Sequence, residues 1–436
     1  MGTLFLFIAL ILEMAVAIYC MRTKQNHKKL KNGIRIGLFI LFVILTLSSV
    51  IVWSFRWFIL AILLFLLAVK GTVSLIRNKS TIRKYKTSSI VWKSILMILA
   101  FVFALAPAIV FPQHQSPKVT GKYEIATTTY TYEDKNRMEE FTDLGKNRFV
   151  NVEFWYPENA DGTYPLLVFS HGAYGIKASN TSTYTELASH GYVVVSIDHP
   201  YHSFYTRSGD GTIALINTDY NREIDNLNKE GFYTREEEDS LIQKWMKLRT
   251  DDMNFVLDTI LQKAKSDKDP VYQHIDTEKI KIGVFGHSMG GAASVWLGRE
   301  RDDIRAVVNI DAPFFSELVY NKEMNDFTAS SEAYTTPLLN IYSDDVWKQL
   351  DSNSIYAANK LNNERFKDAY TVHFQGAKHL SLTDLPLFSP ILANILQGGK
   401  AEIDPYYCIE NENELILTFF NYELKGIGHF TPKKTY

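Results

Sequence analysis

Four long apolar stretches occupy the first part of the chain, and a region of alternating apolar and polar segments follows them. The stretches cover residues 4–21, 34–53, 57–76 and 90–111. Each is close to the ~20 residues that an α-helix needs in order to cross a bilayer. We therefore predict a membrane domain of four transmembrane helices over residues 1–112.

Basic residues crowd the first and third connections between these stretches and are rare in the second. The first connection holds Arg22, Lys24, Lys28, Lys29, Lys31 and Arg35, the third holds Arg77, Lys79, Arg83, Lys84 and Lys86, and the second holds Arg56. By the positive-inside rule, the first and third connections lie in the cytoplasm. This predicts a multi-pass protein of the cell membrane whose second domain lies on the extracytoplasmic side. The spans carry hardly any charge, which suits an anchor better than a transporter or a sensor.

A polar segment with two prolines, residues 112–117, follows the last apolar stretch and predicts an extended connector. Beyond it, strand patterns alternate with helical patterns. We predict strands at residues 149–155, 164–169, 192–197, 280–285, 306–310, 337–342 and 370–374, and helices at 183–189, 224–265 and 414–424. This alternation predicts an α/β domain over residues 113–436, with a mainly parallel sheet and helices on both faces.

Charge and cysteine content exclude some classes of partner. The formal net charge of -2 over 436 residues argues against nucleic acid. Cys20 and Cys408 lie far apart, so we expect neither a disulfide framework nor a cysteine metal site. His199 and His202 lie near Asp198, but no further ligands follow at a useful spacing. We expect no metal and no cofactor.

The most informative motif is Gly286-His287-Ser288-Met289-Gly290, a G-x-S-x-G sequence. A buried-strand pattern precedes it, and a helical pattern of small residues follows it. In this strand–turn–helix context the central serine is a nucleophile. A Cβ on either glycine would clash across so tight a turn. We therefore predict that Ser288 is a nucleophile exposed at the tip of a sheet.

A serine hydroxyl needs an adjacent base to act as a nucleophile at neutral pH. Three histidines follow Ser288 in the sequence: His373, His379 and His429. His373 lies inside a predicted strand, and His429 lies beyond the last predicted helix. His379 occupies a loop from which an imidazole can reach the serine, and we predict that it is the base.

The acid that orients the imidazole is less well determined by the pattern. Asp311 ends the strand after the nucleophile helix, whereas Asp344 and Asp345 end the next strand. Either position would fix the imidazole tautomer and stabilise the imidazolium. The residues by themselves leave these alternatives open.

An oxyanion hole needs two backbone N–H groups that point at the developing negative charge. We expect one from Met289, directly after the nucleophile. The segment His171-Gly172-Ala173-Tyr174-Gly175 follows a predicted strand, and we expect the second N–H from Ala173. The side chain of His171 is expected to brace this loop rather than to act as a base.

Several of these motifs resemble those of the plasma-type platelet-activating factor acetylhydrolases. They are Phe169-Ser170-His171-Gly172, Ser196-Ile197-Asp198-His199 and Gly286-His287-Ser288-Met289-Gly290-Gly291, with further similarity at residues 249–258, 309–314 and 337–343. The resemblance covers about residues 151–424 and implies an α/β-hydrolase fold. It also implies that Asp311 is the triad acid, that His379 is the base, and that Ala173 and Met289 are the oxyanion donors. Members hydrolyse short or oxidised acyl chains from phospholipids without a metal.

Two features depart from the pattern of that family, and they leave the substrate open. One is the four-helix segment, and the other is the long polar stretch 201–244, a candidate lid. We expect a membrane-anchored serine hydrolase that cleaves carboxylic esters, lipid or short-acyl, through a Ser-His-Asp triad and an acyl-enzyme. The alternatives are an acyltransferase that uses the same triad and a non-catalytic, hydrolase-like binding module. The expected partners are a small-molecule or lipid ester and the membrane.

Overall fold

The four apolar stretches form helices. The computed structural model describes residues 1–77, 85–159, 161–229, 231–277, 281–365 and 368–436. Among these residues, four helices are long and apolar enough to cross a membrane, by length and composition. They are α1 (Gly2–Thr23), α2 (Lys28–Leu47), α3 (Phe58–Ile76), which the 3-10 turn Phe55–Trp57 precedes, and α4 (Thr87–Val110). The four predicted apolar helices are confirmed, and the bilayer crossing stays a prediction.

A buried ion pair joins α1 to α2. Arg35 lies within α2, not in the connection before it, and its Nη2 donates to Oε2 of Glu13 in α1 at 2.9 Å. Both side chains are buried, so each charge compensates the other inside an apolar helix pair. Arg35 is therefore not a loop charge, and Lys28, Lys29 and Lys31 also lie within α2, in its first turns. The orientation prediction rests on the basic residues at and near the helix ends, of which Lys79, Arg83 and Lys84 lie outside the described residues.

The chain divides into two compact units. One comprises Met1–His114 and Phe388–Leu392, and the other comprises Gln115–Leu387 and Ala393–Tyr436. The boundary between residues 114 and 115 falls inside the predicted connector 112–117. The division into a membrane domain (1–112) and a catalytic domain (113–436) stays a prediction.

The second unit is built on a sheet that has eight strands within the described residues. They are β1 (Ile125–Met138), β2 (Asn147–Pro157), β3 (Leu166–Ser170), β4 (Val193–Asp198), β5 (Ile282–His287), β6 (Ile304–Ile310), β7 (Leu338–Ser343) and β8 (Ala369–Phe374). Their order is β1-β2-β4-β3-β5-β6-β7-β8. β2 pairs antiparallel with both its neighbours, and the pairs from β4 to β8 are parallel. The predicted mainly parallel sheet is confirmed.

Helices cover both faces of this sheet, and its central strands, β3 to β7, are buried on both sides over nearly their whole length. Further helices are α5 (Thr181–Ser189), α6 (Thr218–Leu227), α7 (Arg235–Ser266), α8 (Pro270–Gln273), α9 (Met289–Glu300), α10 (Asp344–Trp347), α11 (Ala357–Arg365), α12 (Leu385–Phe388), α13 (Pro390–Leu396) and α14 (Pro405–Phe420). Val168 and Val284 join a core cluster with α7 and α9. Phe169 and Phe285 face the opposite cluster, with α5 and α14. This alternation follows from the two-residue period of a strand.

Shorter elements complete the unit. Two antiparallel hairpins pair Tyr205–Arg207 with Ile213–Leu215 and Leu318–Asn321 with Asp326–Ala329. Single 3-10 turns are Phe315–Glu317, Ser354–Tyr356 and His379–Leu382, and a π-helical turn is Asn421–Lys425.

Two predicted helices had the wrong bounds, and one strand was not predicted. The predicted helix 224–265 is two helices, α6 and α7, because Thr234 caps a new helix through a capping box with Glu237. The last helix begins at Pro405, since the Asp404 side chain accepts from the N–H groups of the first turn. Strand β1 was not predicted, because its pattern of threonines and charged residues lacks a buried face over much of its length.

The candidate lid 201–244 is only partly a surface element. Tyr220, Ile224 and Ile242 belong to the main core cluster, so most of this stretch cannot detach without unfolding the domain. The hairpin at Tyr205–Arg207 and Ile213–Leu215 is different, because it leaves large apolar side chains exposed. This hairpin is therefore the part of the stretch that we retain as a candidate lid.

Candidate active site

Ser288 lies at the turn between β5 and α9, with φ 54° and ψ −128°. This conformation is strained for a residue that has a side chain. The turn is held because the Ser288 N–H donates to the Ile310 carbonyl at 2.8 Å and the Ser288 carbonyl accepts from the Ala292 N–H at 3.1 Å. The strand–turn–helix geometry predicted around Ser288 is present in the structure.

Close packing around the turn explains its two glycines. A Cβ on Gly290 would lie 1.9 Å from the carbonyl oxygen of Ser170. A Cβ on Gly286 would lie 2.3 Å from the backbone of Gly290. Neither position has room for a side chain, so the surrounding backbone fixes the strained serine in place.

Asp311 and His379 meet at the carboxyl ends of the parallel strands. Nδ1 of His379 donates to Oδ2 of Asp311 at 2.7 Å. The Asp311 carboxylate is 1% exposed and also accepts from the backbone N–H and the hydroxyl of Ser343, at 2.6 and 2.7 Å. The His379 side chain is 34% exposed. With its proton on Nδ1, a neutral imidazole offers Nε2 as an acceptor on its open side.

The structure does not bring the alternative acid, Asp344, to His379. Asp344 accepts from Nε2 of His373 at 2.7 Å and from Lys348 at 3.0 Å. The ring of His373 stacks on Trp347 with centroids 4.6 Å apart. Of the two positions that the sequence pattern left open, the geometry favours Asp311.

Asp345, which the sequence analysis named as a possible acid, and His287, which it did not assign, hold the backbone of His379. Oδ2 of Asp345 accepts from the His379 N–H at 3.0 Å. Nε2 of His287 donates to the His379 carbonyl at 2.9 Å, since a carbonyl can only accept. Burial, together with the nearby His379, lowers the pKa of His287 well below its usual value, so this ring is neutral. The signal available in the sequence was a histidine directly before the nucleophile.

The segment 171–175, here called the oxyanion loop, lies directly over the nucleophile. A Cβ on Gly172 would lie 3.1 Å from Cβ of Ser288 and 3.0 Å from Nδ1 of His287. Within the residues that the structure describes, the backbone N–H groups of Ala173 and Met289 donate no hydrogen bond. Met289 also begins α9, where the helix dipole favours negative charge. Both N–H groups are thus free to bind an oxyanion, and that role stays a prediction.

Side chains behind the oxyanion loop hold it in place. Nδ1 of His171 donates to the Gly172 carbonyl at 2.6 Å, and Nε2 lies 2.8 Å from the Ser203 hydroxyl. Burial lowers the pKa of His171 well below its usual value. The neutral ring therefore braces the loop, as the sequence predicted. His202, weighed as a metal ligand, instead stacks on Tyr220 with centroids 3.7 Å apart.

A second Ser–His–Asp row runs behind the loop, but it is buried. Nδ1 of His199 donates to Asp252 at 3.0 Å, and Nε2 accepts from the Ser170 hydroxyl at 2.9 Å. Burial lowers the pKa of His199 to about 4. Burial acts to raise the pKa of Asp252, but Arg148, at 2.7 Å, keeps that pKa low. Ser170 has no exposed surface, so this row cannot meet a substrate and is structural.

The strand order and the geometry at Ser288 define an α/β-hydrolase. A ferulic acid esterase from Streptomyces cinnamoneus shares the fold, with a TM-score of 0.55, 18% sequence identity, and coverage of 73% of this chain and 97% of the esterase. Residues 142–430 match the family model of the platelet-activating factor acetylhydrolases, isoform II, and the chain belongs to this family. The predicted fold class and family are both confirmed.

Curated relatives agree with this family. The platelet-activating factor acetylhydrolase of Bos taurus is 25% identical over 280 residues, which cover 60% of this chain and 57% of the relative. That of Gallus gallus is 26% identical over 280 residues, 60% of this chain and 62% of the relative. Cutinase est1 of Thermobifida alba is 25% identical over 230 residues, 52% of this chain and 60% of the relative. The matches span about three-fifths of the length of these relatives.

Proposed function

We propose that this protein is a membrane-anchored serine esterase with Ser288, His379 and Asp311 as its catalytic triad. The observation that carries the proposal is the 2.7 Å hydrogen bond from His379 to the buried Asp311 carboxylate. It links a third-exposed imidazole to the edge of the sheet where the strained Ser288 lies. A buried carboxylate behind an accessible histidine is the arrangement that activates a serine nucleophile.

The proposed reaction proceeds through an acyl-enzyme. Ser288 Oγ attacks the ester carbonyl carbon and passes its proton to Nε2 of His379. The carbonyl oxygen becomes an oxyanion, which accepts hydrogen bonds from the N–H groups of Ala173 and Met289. His379 then protonates the leaving alkoxide as the C–O bond breaks. Water, activated by the same imidazole, attacks the acyl-enzyme, and collapse of the second tetrahedral species frees Ser288 and the acid.

The proposed substrates are lipid or short-acyl esters. Relatives named platelet-activating factor acetylhydrolase and cutinase support ester hydrolysis, and the family match covers the whole sheet from β2 onward. The four apolar helices support a location at a lipid bilayer, where esters of membrane lipids are at hand.

Activity is tested with the purified full chain in detergent micelles. Hydrolysis is followed on nitrophenyl esters of increasing acyl length and on a phospholipid with an acetyl group at the second position. The variants Ser288→Ala and His379→Gln should abolish turnover. His373 lies in β8, the strand that precedes His379 in the chain. His373→Gln is therefore the matched control and should retain turnover. Equal activity in wild type and Ser288→Ala would contradict the triad, and acyl transfer to added alcohols instead of water would favour the acyltransferase.

We also propose that the first and third connections of the four-helix segment are cytoplasmic and that residues 113–436 are extracytoplasmic. Cys20 and Cys408 are both buried, so a thiol reagent should react with a single cysteine added at an exposed position. Gln25→Cys and Ser352→Cys place thiols at exposed positions of the first connection and of the second unit. In intact cells, a membrane-impermeant maleimide should label Ser352→Cys and not Gln25→Cys. The reverse pattern would invert the orientation.

A further inference from the structure

Arg249, on α7, directs its guanidinium at the backbone of the oxyanion loop. The side chain has no exposed surface. Nη1 donates to the His171 carbonyl, and Nη2 donates to the Gly172 carbonyl at 3.2 Å. Nη1 also lies 3.4 Å from the Ser170 hydroxyl. The partners of this buried cation are thus the main-chain oxygens of the loop and the hydroxyls of Ser170 and Tyr220.

A neighbouring carboxylate does not neutralise this charge by direct contact. In the described part of the chain, no Asp or Glu lies within ion-pair distance of Arg249. Asp252, one turn along α7, binds Arg137, Arg148 and His199 instead. Burying a guanidinium without an ion pair is energetically costly, because the charge loses its hydration. Its interaction with the loop carbonyls therefore has to offset that cost.

The geometry of the peptide group connects Arg249 to the nucleophile. The Gly172 carbonyl and the Ala173 N–H belong to one planar peptide, in which they point in opposite directions. Arg249 and Nδ1 of His171 both bind that carbonyl, so the peptide plane is fixed and the N–H is turned away from α7. A cation bound to a carbonyl also polarises its peptide, which makes the attached N–H a stronger donor.

We propose that Arg249 is a positioning residue of the oxyanion hole. It fixes and polarises the Gly172–Ala173 peptide, so that the Ala173 N–H stabilises the developing oxyanion more strongly. It touches no reacting atom and acts through the loop backbone. This inference rests on the proposed esterase function.

The test compares an ester with its thionoester, in which sulfur replaces the carbonyl oxygen. Sulfur is a weak hydrogen-bond acceptor, so the transition state of the thionoester is stabilised less by the N–H groups of an oxyanion hole. In the full-length protein, Arg249→Met removes the charge and keeps the length of the side chain. We expect kcat on the oxyester to fall about 10- to 100-fold with little change in KM. The ratio of oxyester to thionoester kcat should fall about tenfold.

Two further variants complete the design. Arg249→Lys keeps the charge but cannot reach both carbonyls, so we expect a smaller fall in the same ratio. If thermal melting shows that Arg249→Met does not fold, the ratio of oxyester to thionoester kcat in Arg249→Lys tests the proposal instead. Arg301→Met is the control, because Arg301 is a largely buried arginine that contacts α7 through Asn254 and Asp258. It should lower the melting temperature and leave the ratio unchanged.

The outcomes separate this inference from the proposed function. An active wild type whose ratio is unchanged in the folded Arg249 variants would make Arg249 a structural residue only. A folded wild type that turns over neither ester would overturn the esterase itself.

Discussion

Asp311 and His379, 68 residues apart in the chain, are joined by a 2.7 Å hydrogen bond from Nδ1 to Oδ2. One partner is fully buried and the other is accessible. The bond exists because β6 and the loop after β8 end at the same edge of a parallel sheet, as polar residues at strand ends do in this architecture. Its consequences can be measured.

The first prediction separates the two acids. Asp311→Asn should lower kcat about 10³- to 10⁴-fold, because the amide stabilises the wrong imidazole tautomer and cannot support an imidazolium. Asp344→Asn is the matched control, since Asp344 ends the next strand and binds His373 instead. Its kcat should be almost unchanged. A larger loss in Asp344→Asn than in Asp311→Asn would move the acid to the other strand. Steady-state hydrolysis of a nitrophenyl ester measures both.

The second prediction concerns the turn that carries Ser288. Gly290→Ala places a methyl group 1.9 Å from the Ser170 carbonyl oxygen, where only backbone could move aside. We expect a loss of more than about 3 kcal/mol in unfolding free energy and no turnover. At Gly209 the nearest atom to an added Cβ is Oγ1 of Thr131, at 3.6 Å, an ordinary contact. Gly209→Ala should therefore melt and turn over like the wild type, and a destabilised Gly209→Ala would undercut the comparison.

The third prediction is a dependence of stability on pH. Burial lowers the pKa of His199 to about 4, against an ordinary value of 6.5. Between these values the unfolded chain binds a proton that the folded chain does not, so stability falls as pH falls from 6.5 to 4. His171, His202 and His287 act in the same direction, because burial lowers the pKa of each. Above pH 6.5 these groups add no such dependence.

Thermal melting between pH 7 and 4.5 checks this linkage. His199→Gln should reduce the slope of unfolding free energy against pH in this acid range. The reduction should be at most that of one proton, about 1.4 kcal/mol per pH unit. His429→Gln, which removes an exposed histidine, is the control for the loss of an imidazole. A His199→Gln slope as steep as that of the wild type would remove His199 from the acid response.

The fourth prediction concerns the hairpin at Tyr205–Arg207 and Ile213–Leu215. The Phe204 N–H donates to the Gly175 carbonyl at 3.0 Å, which joins the hairpin to the oxyanion loop. Leu215, on this hairpin, exposes a large apolar side chain. Leu215→Ser should lower kcat/KM about fivefold on long-chain esters and little on acetyl esters. Val319→Ser, on the second hairpin, is the control, and equal chain-length profiles for both variants would exclude the hairpin as a lid.

The parts of the fold that the sequence predicted depend on patterns within short segments of the chain. The strand before Ser288, the small residues of α9 and the two turn glycines all lie within one short segment, so their pattern shows directly. The alternation of strand and helix patterns was enough to predict a mainly parallel sheet. Strand β1 was missed because its half-exposed threonines give no periodic apolar pattern. The break between α6 and α7 depends on a capping box inside a uniformly polar stretch.

The supporting residues of the site were not predictable in the same way. Asp311 and Asp344 end adjacent strands, and only the spatial position of His379 distinguishes them. Arg249 meets its carbonyl partners across 77 and 78 residues of sequence, and a charged residue within a helix gives no sign of such a contact. Long-range contacts of this kind follow from packing, which a single sequence does not display.

The most direct test of the central claim is the site of covalent labelling by a fluorophosphonate. The purified full chain is labelled, digested and mapped by mass spectrometry, beside Ser288→Ala and the neighbouring control Ser294→Ala. We predict one adduct per chain, on Ser288, present in wild type and Ser294→Ala and absent from Ser288→Ala. A folded wild type that takes no label, or takes it at another residue, would contradict the assignment of Ser288 as an activated nucleophile.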